Sequence, residues 1–235
     1  MVMLEERVAI ITGAGRGIGA AIARRLAAEG CDVVLVARGV GDLERVAAEV
    51  SAAGRVAEVV AADLGDPAAA SAVIERSLAR FGRLDVVVNN AGGAAPAPFR
   101  ETTSEDLERA FRFNVSASFQ LIKLATPRLL ESDCAAVINI SSRMDRLTAR
   151  GLLTYGTVKA ALSHMTRLLA VELAPRIRVN AISPGVVATE GLREALDAKT
   201  RRQIETATPL HRLASVEDIA NAAAWLFPYC WAVAR

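Results

Sequence analysis

Aromatic residues make up only 4% of this chain, although its hydrophobic fraction is 52%. An interior poor in rings but rich in Ala and Val suits helices packed closely on a sheet. Cysteine is scarce too: Cys31, Cys134 and Cys230 are odd in number and far apart. They match neither a metal pattern nor a disulfide framework, so a reducing cytoplasm is the expected compartment. Neither sign of charge is in excess. The formal net charge is +2, which gives no reason to expect nucleic acid or an anionic membrane as a partner. Residues 1–7 are charged and no long apolar stretch follows them, so neither a signal peptide nor a membrane span is expected. Internal repeats, linkers and low-complexity tracts are missing as well. A chain of 235 residues then reads as one α/β domain over residues 1–235.

What is present begins with residues 7–12 (RVAIIT), a short apolar strand that runs into Gly13-Ala14-Gly15-Arg16-Gly17-Ile18-Gly19. Residues 20–29 follow as a helix closed by Gly30. Strand, glycine turn and helix form the setting of a phosphate-binding loop. Glycines let the backbone approach a pyrophosphate, and the helix N-terminus offers free N–H groups and a positive dipole end. A merely tight turn is the alternative. Residues 32–37 (DVVLVA) form a second strand, with a helix over 42–52. In a dinucleotide fold the tip of this strand meets the adenosine ribose. A carboxylate there binds the 2′-hydroxyl, whereas an arginine accommodates a 2′-phosphate. Here the tip carries Ala37 and Arg38, with Arg16 inside the glycine loop. Loop arginines are commonly just solvated, yet this placement points to NADP, with NAD as second choice.

Residues 55–61 alternate towards a third strand that ends at Asp63-Leu64. Asp66-Pro67 reads as an N-cap and first-turn proline, opening a helix to Phe81. Residues 84–88 are a fourth strand leading into Asn89-Asn90-Ala91-Gly92. Asp63 is either an acceptor for an adenine amino group or a plain loop carboxylate. Thr103-Ser104-Glu105-Asp106 resembles a capping box. Its helix is expected to continue, bent or interrupted, through Asn114 to about Glu131. An Asn in a long apolar helix costs stability unless its amide is hydrogen-bonded. Residues 136–141 (AVINIS) form a fifth strand, ending at Ser141 and Ser142, and Tyr155 opens a helix to about Leu173. Residues 177–182 are a sixth strand, closed by Ser183-Pro184-Gly185, and residues 186–210 carry two short helical patterns. A polar segment just after a strand end suggests a mobile lid. Ser215-Val216-Glu217-Asp218 caps a last helix to about Leu226. This alternation demands a doubly wound parallel sheet with helices on both faces. Ligands on such sheets bind beyond the carboxyl ends of the strands. Residues 13–19, Arg38, Asp63, Asn90, Ser142 and Pro184 all follow strand ends, and so share one edge.

The strongest chemical signal is Tyr155-Gly156-Thr157-Val158-Lys159. On a helix, a spacing of four puts phenol and ammonium on one face, about 6 Å apart. A free tyrosine, with a pKa near ~10, holds its proton too tightly for acid–base work at neutral pH. A cation within roughly 4–6 Å favours the phenolate, and a tuned tyrosine can move a proton to or from a substrate oxygen. A packed ring beside a solvated amine has the same spacing. The pair gains meaning only from its companions on the same edge.

Those companions complete a resemblance to the short-chain dehydrogenase/reductase family, in the branch that includes bacterial 3-oxoacyl-carrier-protein reductases. The resemblance spans about residues 5–226. It rests on Thr12-Gly13 with Gly17 and Gly19, Asp63, Asn89-Asn90-Ala91-Gly92, Asn114, Ser142, Tyr155 with Lys159, and Pro184-Gly185 with Thr189. It implies a Rossmann-type fold and hydride transfer between a ketone and a secondary alcohol. Tyr155 would be the general acid or base, and Lys159 would hold the nicotinamide ribose and lower the tyrosine pKa. Ser142 would orient the carbonyl, and Asn114 would hold a water that relays protons from Lys159. Implied cofactor contacts are Gly13, Gly15, Arg16, Gly17, Ile18, Gly19, Arg38, Asp63, Leu64, Asn90, Ala91 and Gly92, with Tyr155 and Lys159. Pro184, Gly185, Val187 and Thr189 would meet the nicotinamide and its phosphate. The resemblance further implies a homo-oligomer, dimer or tetramer, and a small carbonyl or alcohol substrate. A 3-oxoacyl thioester leads, possibly carrier-bound. Sugar, polyol or steroid-like alcohols are rivals, as is a non-catalytic NADP-binding sensor or subunit. Arg143, Arg146 and Arg150 beside the pocket either favour an anionic substrate or are solvated. One part departs from the pattern: family members continue to a seventh strand, whereas here Leu226 is followed by FPYCWAVAR. Pro228 opposes further helix. Six strands are therefore expected, with the terminus truncated or altered, or with Phe227, Tyr229 and Trp231 packed in place of the seventh.

Overall fold

β1 (Val8–Thr12) is buried along its whole length, as a strand must be when helices cover both faces of its sheet. Its side chains alternate between two apolar layers: Ala9 and Ile11 enter one, Val8 and Ile10 the other. The structure, a computed structural model, describes residues 4–195 and 197–227. The expectations for Pro228, Tyr229, Cys230 and Trp231 lie outside the described residues.

β1 pairs in parallel with β2 (Asp32–Ala37) and β4 (Val86–Asn89). β3 (Ala57–Ala61), β5 (Ala136–Ile140) and β6 (Arg178–Ile182) extend the sheet to the order β3-β2-β1-β4-β5-β6. Among the described residues the sheet has these six strands and no seventh. Parallel neighbours require crossovers, and the helices supply them. α1 (Gly17–Ala28) and α2 (Val40–Ala52) cover one face together with α9 (Val216–Leu226). α3 (Ala69–Phe81) and α5 (Ala117–Leu129) cover the other. The direction of winding reverses between β1 and β4, which opens a crevice at their carboxyl ends.

Local signals set most boundaries. Thr103 and Asp106 form a capping box at α4 (Ser104–Phe111), and Ser215 and Asp218 form another at α9. The interruption expected near Asn114 is a single π turn, Arg112–Ser116. Several boundaries differ from expectation by two or three residues: α1 starts at Gly17 rather than Ala20, α2 at Val40 rather than Asp42, and the helix expected to open at Tyr155 starts at Leu153. The helix placed at Asp66-Pro67 starts only at Ala69, because Asp66 Oδ1 accepts from Ala68 N (2.9 Å) in a separate turn ahead of it. Phe227 is fully buried in the α1–α9 layer. Arg178 donates to the carbonyls of Leu226 and Phe227 (2.6 and 2.7 Å), tying the end of α9 to β6. Among the described residues, no helix is long and apolar enough to cross a membrane.

Candidate active site

At the carboxyl end of β1 the chain turns through Gly13 and Gly17, both left-handed, with φ of 64° and 56°. Arg16 gives α1 no side-chain cap, and the first turn of α1 holds no acidic residue. The first N–H groups therefore remain available in the positive field of the helix end, the arrangement that suits a phosphate. Gly19 serves closeness instead: a Cβ there would overlap the carbonyl of Gly13. The end of β4 is stitched onto this loop. Thr12 Oγ1 accepts from the N–H groups of Asn90 and Ala91 (2.9 Å each), and Asn90 Nδ2 donates to Thr12 O (2.9 Å) and Gly13 O (3.2 Å).

Beyond β2, Arg38 is exposed beside Arg16, and among the described residues neither guanidinium has an ion-pair partner. The nearby carboxylate, Asp42, lies 3.6 Å from Arg45 Nη2, which donates to Gly15 O (2.9 Å). This edge thus presents two unpaired cations and an acid that faces Arg45. Asp63 Oδ1 accepts from Gly65 N (2.9 Å) in a local turn, and among the described residues its second oxygen has no hydrogen-bond partner.

The reactive groups come from β5 and α6 (Leu153–Glu172). Tyr155 and Lys159 occupy one face of α6, with Lys159 Nζ 5.8 Å from the centre of the Tyr155 ring. Lys159 is only 4% exposed, and its ammonium donates to Ile140 O (2.9 Å). Burial lowers its pKa from 10.5 to about 8. Ser142 leaves β5 with extended backbone, and its Oγ accepts from Met144 N (3.2 Å). That geometry leaves the hydroxyl proton to donate elsewhere. Asn114 is fully buried, with both amide protons and one lone pair of Oδ1 engaged. Its Nδ2 donates to Gly93 O and Ala110 O (2.9 Å each), and its Oδ1 accepts from Gly93 N (2.8 Å). Asn114 sits within the π turn Arg112–Ser116, and Ala110 lies one helical turn before it.

These elements enclose a cavity of about 790 Å³, a size ordinary for a cofactor site. Every residue expected to act or bind lines it except Gly19 and Asn114. Gly19 works within the loop. Asn114 sits behind Gly92, where a Cβ would lie 2.6 Å from Asn114 Oδ1 and 3.1 Å from Lys159 Nζ. Val187 bridges to Ala214, and Thr189 then brings its methyl to 3.4 Å from the Cβ position of Gly17. Among the described residues no group of His, Cys, Asp or Glu forms a metal site. Sequence reasoning missed Phe113, Ser141 and Glu190 in the lining. It also missed Asp145 and Ser163 behind the wall; the only signal for Ser163 was its position one helical turn after Lys159.

Glycine loop, buried lysine, tyrosine and serine meet at one switch-point cavity, and a family model described as enoyl-(acyl carrier protein) reductase matches residues 13–228. The chain is a short-chain dehydrogenase/reductase. This oxidoreductase is 48% identical over 228 residues to an uncharacterised oxidoreductase of Mycobacterium tuberculosis, covering 96% of this chain and 87% of the relative. It is 34% identical over 226 residues to a 3-oxoacyl-acyl-carrier-protein reductase of Staphylococcus aureus, covering 95% and 92%. A solved 7α-hydroxysteroid dehydrogenase, complexed with NADH and 7-oxo glycochenodeoxycholic acid, superposes with a TM-score of 0.93 at 33% identity. That superposition covers 97% of this chain and 89% of the other.

Proposed function

We propose that this short-chain dehydrogenase/reductase interconverts a ketone and a secondary alcohol with NADP, using Tyr155 as the acid in reduction and the base in oxidation. The observation that carries the reading is the convergence of Tyr155, Lys159 and Ser142 on the cavity that opens at the glycine loop. The dinucleotide, when bound, supplies or accepts the hydride. The chain's own residues do the rest. Ser142 donates its free proton to the substrate oxygen and stabilises the charge developing there. The Lys159 ammonium, still protonated at pH 7 with a pKa of about 8, stands 5.8 Å from the centre of the Tyr155 ring and holds the ribose. Asn114 fixes Gly93, next to the Gly92 that faces that lysine, and the remaining lone pair of Oδ1 is the place for a relay water.

Arg16 and Arg38, unpaired among the described residues, support NADP over NAD. For substrate we favour a 3-oxoacyl thioester. Arg143 lies against Gly185, within 3.8 Å of where its Cβ would be, and offers a cation to an anionic or carrier-bound group. The superposition on a dehydrogenase holding a 7-oxo bile acid favours a steroid-like ketone as the second reading. α7 (Glu190–Ala195) and α8 (Ala198–Ala207) form the lid of one domain; α8 has no buried residue, as befits a segment that moves. Phe111, Phe119, Leu168 and Val171, exposed on α4, α5 and α6, suit a homo-oligomer; light scattering that shows a monomer refutes this.

The test is a panel of 3-oxoacyl thioesters, 7-oxo bile acids, sugars and polyols with both cofactors, repeated with Tyr155→Phe. The variant should lose roughly 10²–10⁴-fold in turnover and still bind NADPH. Undiminished turnover refutes the mechanism. Cofactor binding without turnover of any compound points to a sensor or inactive subunit instead.

A further inference from the structure

Behind Ser142 lies a carboxylate to which the reaction above gives no task. Asp145 ends the short 3-10 turn Arg143–Asp145, and its side chain is only 4% exposed. Oδ2 accepts from Ser163 Oγ (2.6 Å) on α6 and from Ser183 Oγ (3.1 Å) just after β6, while Oδ1 accepts from Arg146 Nε (3.2 Å). Burial pushes this carboxyl up, but the bonds from Ser163, Arg146 and Ser183 outweigh it and hold the group below the usual aspartate range. Ser163 gives its single proton to Asp145, so Ser141 is the donor in the 2.6 Å pair between Ser141 Oγ and Ser163 Oγ. Ser141 Oγ also lies 3.1 Å from the carbonyl of Lys159. One carboxylate thereby gathers the ends of β5 and β6 and the turn of α6 that follows Lys159.

The same turn sets the aim of Ser142. Asp145 N donates to Ser142 O (2.9 Å), and Met144 N donates to Ser142 Oγ (3.2 Å). Among the described residues, no other side chain of the turn is hydrogen-bonded to α6 or to the end of β6. We propose that Asp145 is a positioning residue: by clamping the 143–145 turn onto Ser163 and Ser183, it directs the Ser142 hydroxyl towards the substrate oxygen. Donor placement of this kind is demanding, since a displacement of about 1 Å can cost on the order of 10²-fold in rate. The inference rests on Ser142 acting as the donor in the proposed reaction.

A double-mutant cycle and an exchange measurement test it. With an acetoacetyl thioester or a 7-oxo bile acid, Asp145→Ala should lower kcat by roughly 10²-fold and leave NADPH affinity unchanged. Asp145→Asn, which keeps one acceptor oxygen, should lose less. The double variant Asp145→Ala/Ser142→Ala should be no slower than Ser142→Ala alone, because the clamp has nothing left to aim. Multiplicative losses overturn the proposal. Should Asp145→Ala fail to fold, the cycle is read with the equal-sized Asn variant. In the free protein, amide exchange at Met144 and Asp145 should quicken at least about tenfold in either Asp145 variant as local opening becomes easier. Unchanged exchange overturns the clamp whatever the substrate. A Ser142→Ala enzyme with full kcat, in contrast, would refute the donor role while leaving the clamp to the exchange result.

Discussion

Replacing Lys159 with Met should make the cofactor-free protein more stable while removing its activity. Lys159 is buried with no carboxylate partner among the described residues, and burial alone lowers its pKa from 10.5 to about 8. At about 1.4 kcal/mol per pKa unit, the charged amine destabilises the fold by roughly 3 kcal/mol at pH 7. Met keeps the apolar stem and drops the charge. It also drops the bond to Ile140 O, which costs about 1 kcal/mol. The balance is a gain of roughly 2 kcal/mol, or about 4–8 °C in Tm for a chain of this length. The pH dependence identifies the cause. Because the folded-state pKa lies below the unfolded one, the unfolded chain binds more protons between about pH 8 and 10.5. The contribution of Lys159 to stability therefore rises across that window, and the advantage of the variant should shrink as the wild-type amine loses its charge. Burial pushes the Cys31 thiol well above its ordinary 9.0, which works in the opposite direction at high pH. Wild type and variant must therefore be compared at each pH, where Cys31 cancels. Calorimetry from pH 7 to 10 is the assay, with turnover expected to fall by at least about 10²-fold. A variant less stable at pH 7, or a difference that ignores pH, refutes the reasoning.

Removing both Arg16 and Arg38 by Ala substitution should cut kcat/KM for NADPH by roughly 10–100-fold, through lost charge-assisted bonds to the 2′-phosphate, and spare NADH. Wild-type kinetics that favour NADH would overturn the cofactor assignment. Gly92→Ala places a methyl 2.6 Å from Asn114 Oδ1 and 3.1 Å from Lys159 Nζ. It should destabilise by about 1–3 kcal/mol and depress turnover together; a variant with wild-type Tm and rate would show that this wall is not close-packed.

The fold was legible because its signals are local. Short apolar runs ended at glycines, two capping boxes marked the starts of α4 and α9, and the alternation of strand and helix left parallel pairing as the arrangement able to bury both faces. Asp66-Pro67 misled for the same reason. A perfectly good local start was taken by an Asx turn, and the helix began two residues after Pro67. The site was legible only as a set of residue types following strand ends. Nothing near Asn114 in sequence reveals that one of its amide protons goes to Gly93, 21 residues away, while the other goes to Ala110. Nor does the segment around Asp145 reveal Ser163 and Ser183 as its partners.

By itself the sequence determined which groups are available: glycines that admit a backbone to a phosphate, arginines rather than an acid beyond β2, and a tyrosine and a lysine one helical turn apart. The tertiary structure decided what those groups are. It buried Lys159 until its pKa fell to about 8, turned Asn114 inward to hold a loop, and set a carboxylate behind Ser142. Ionisation depends on how much water a group has lost, and aim depends on what lies across the gap. Both are properties of neighbours that only folding brings near.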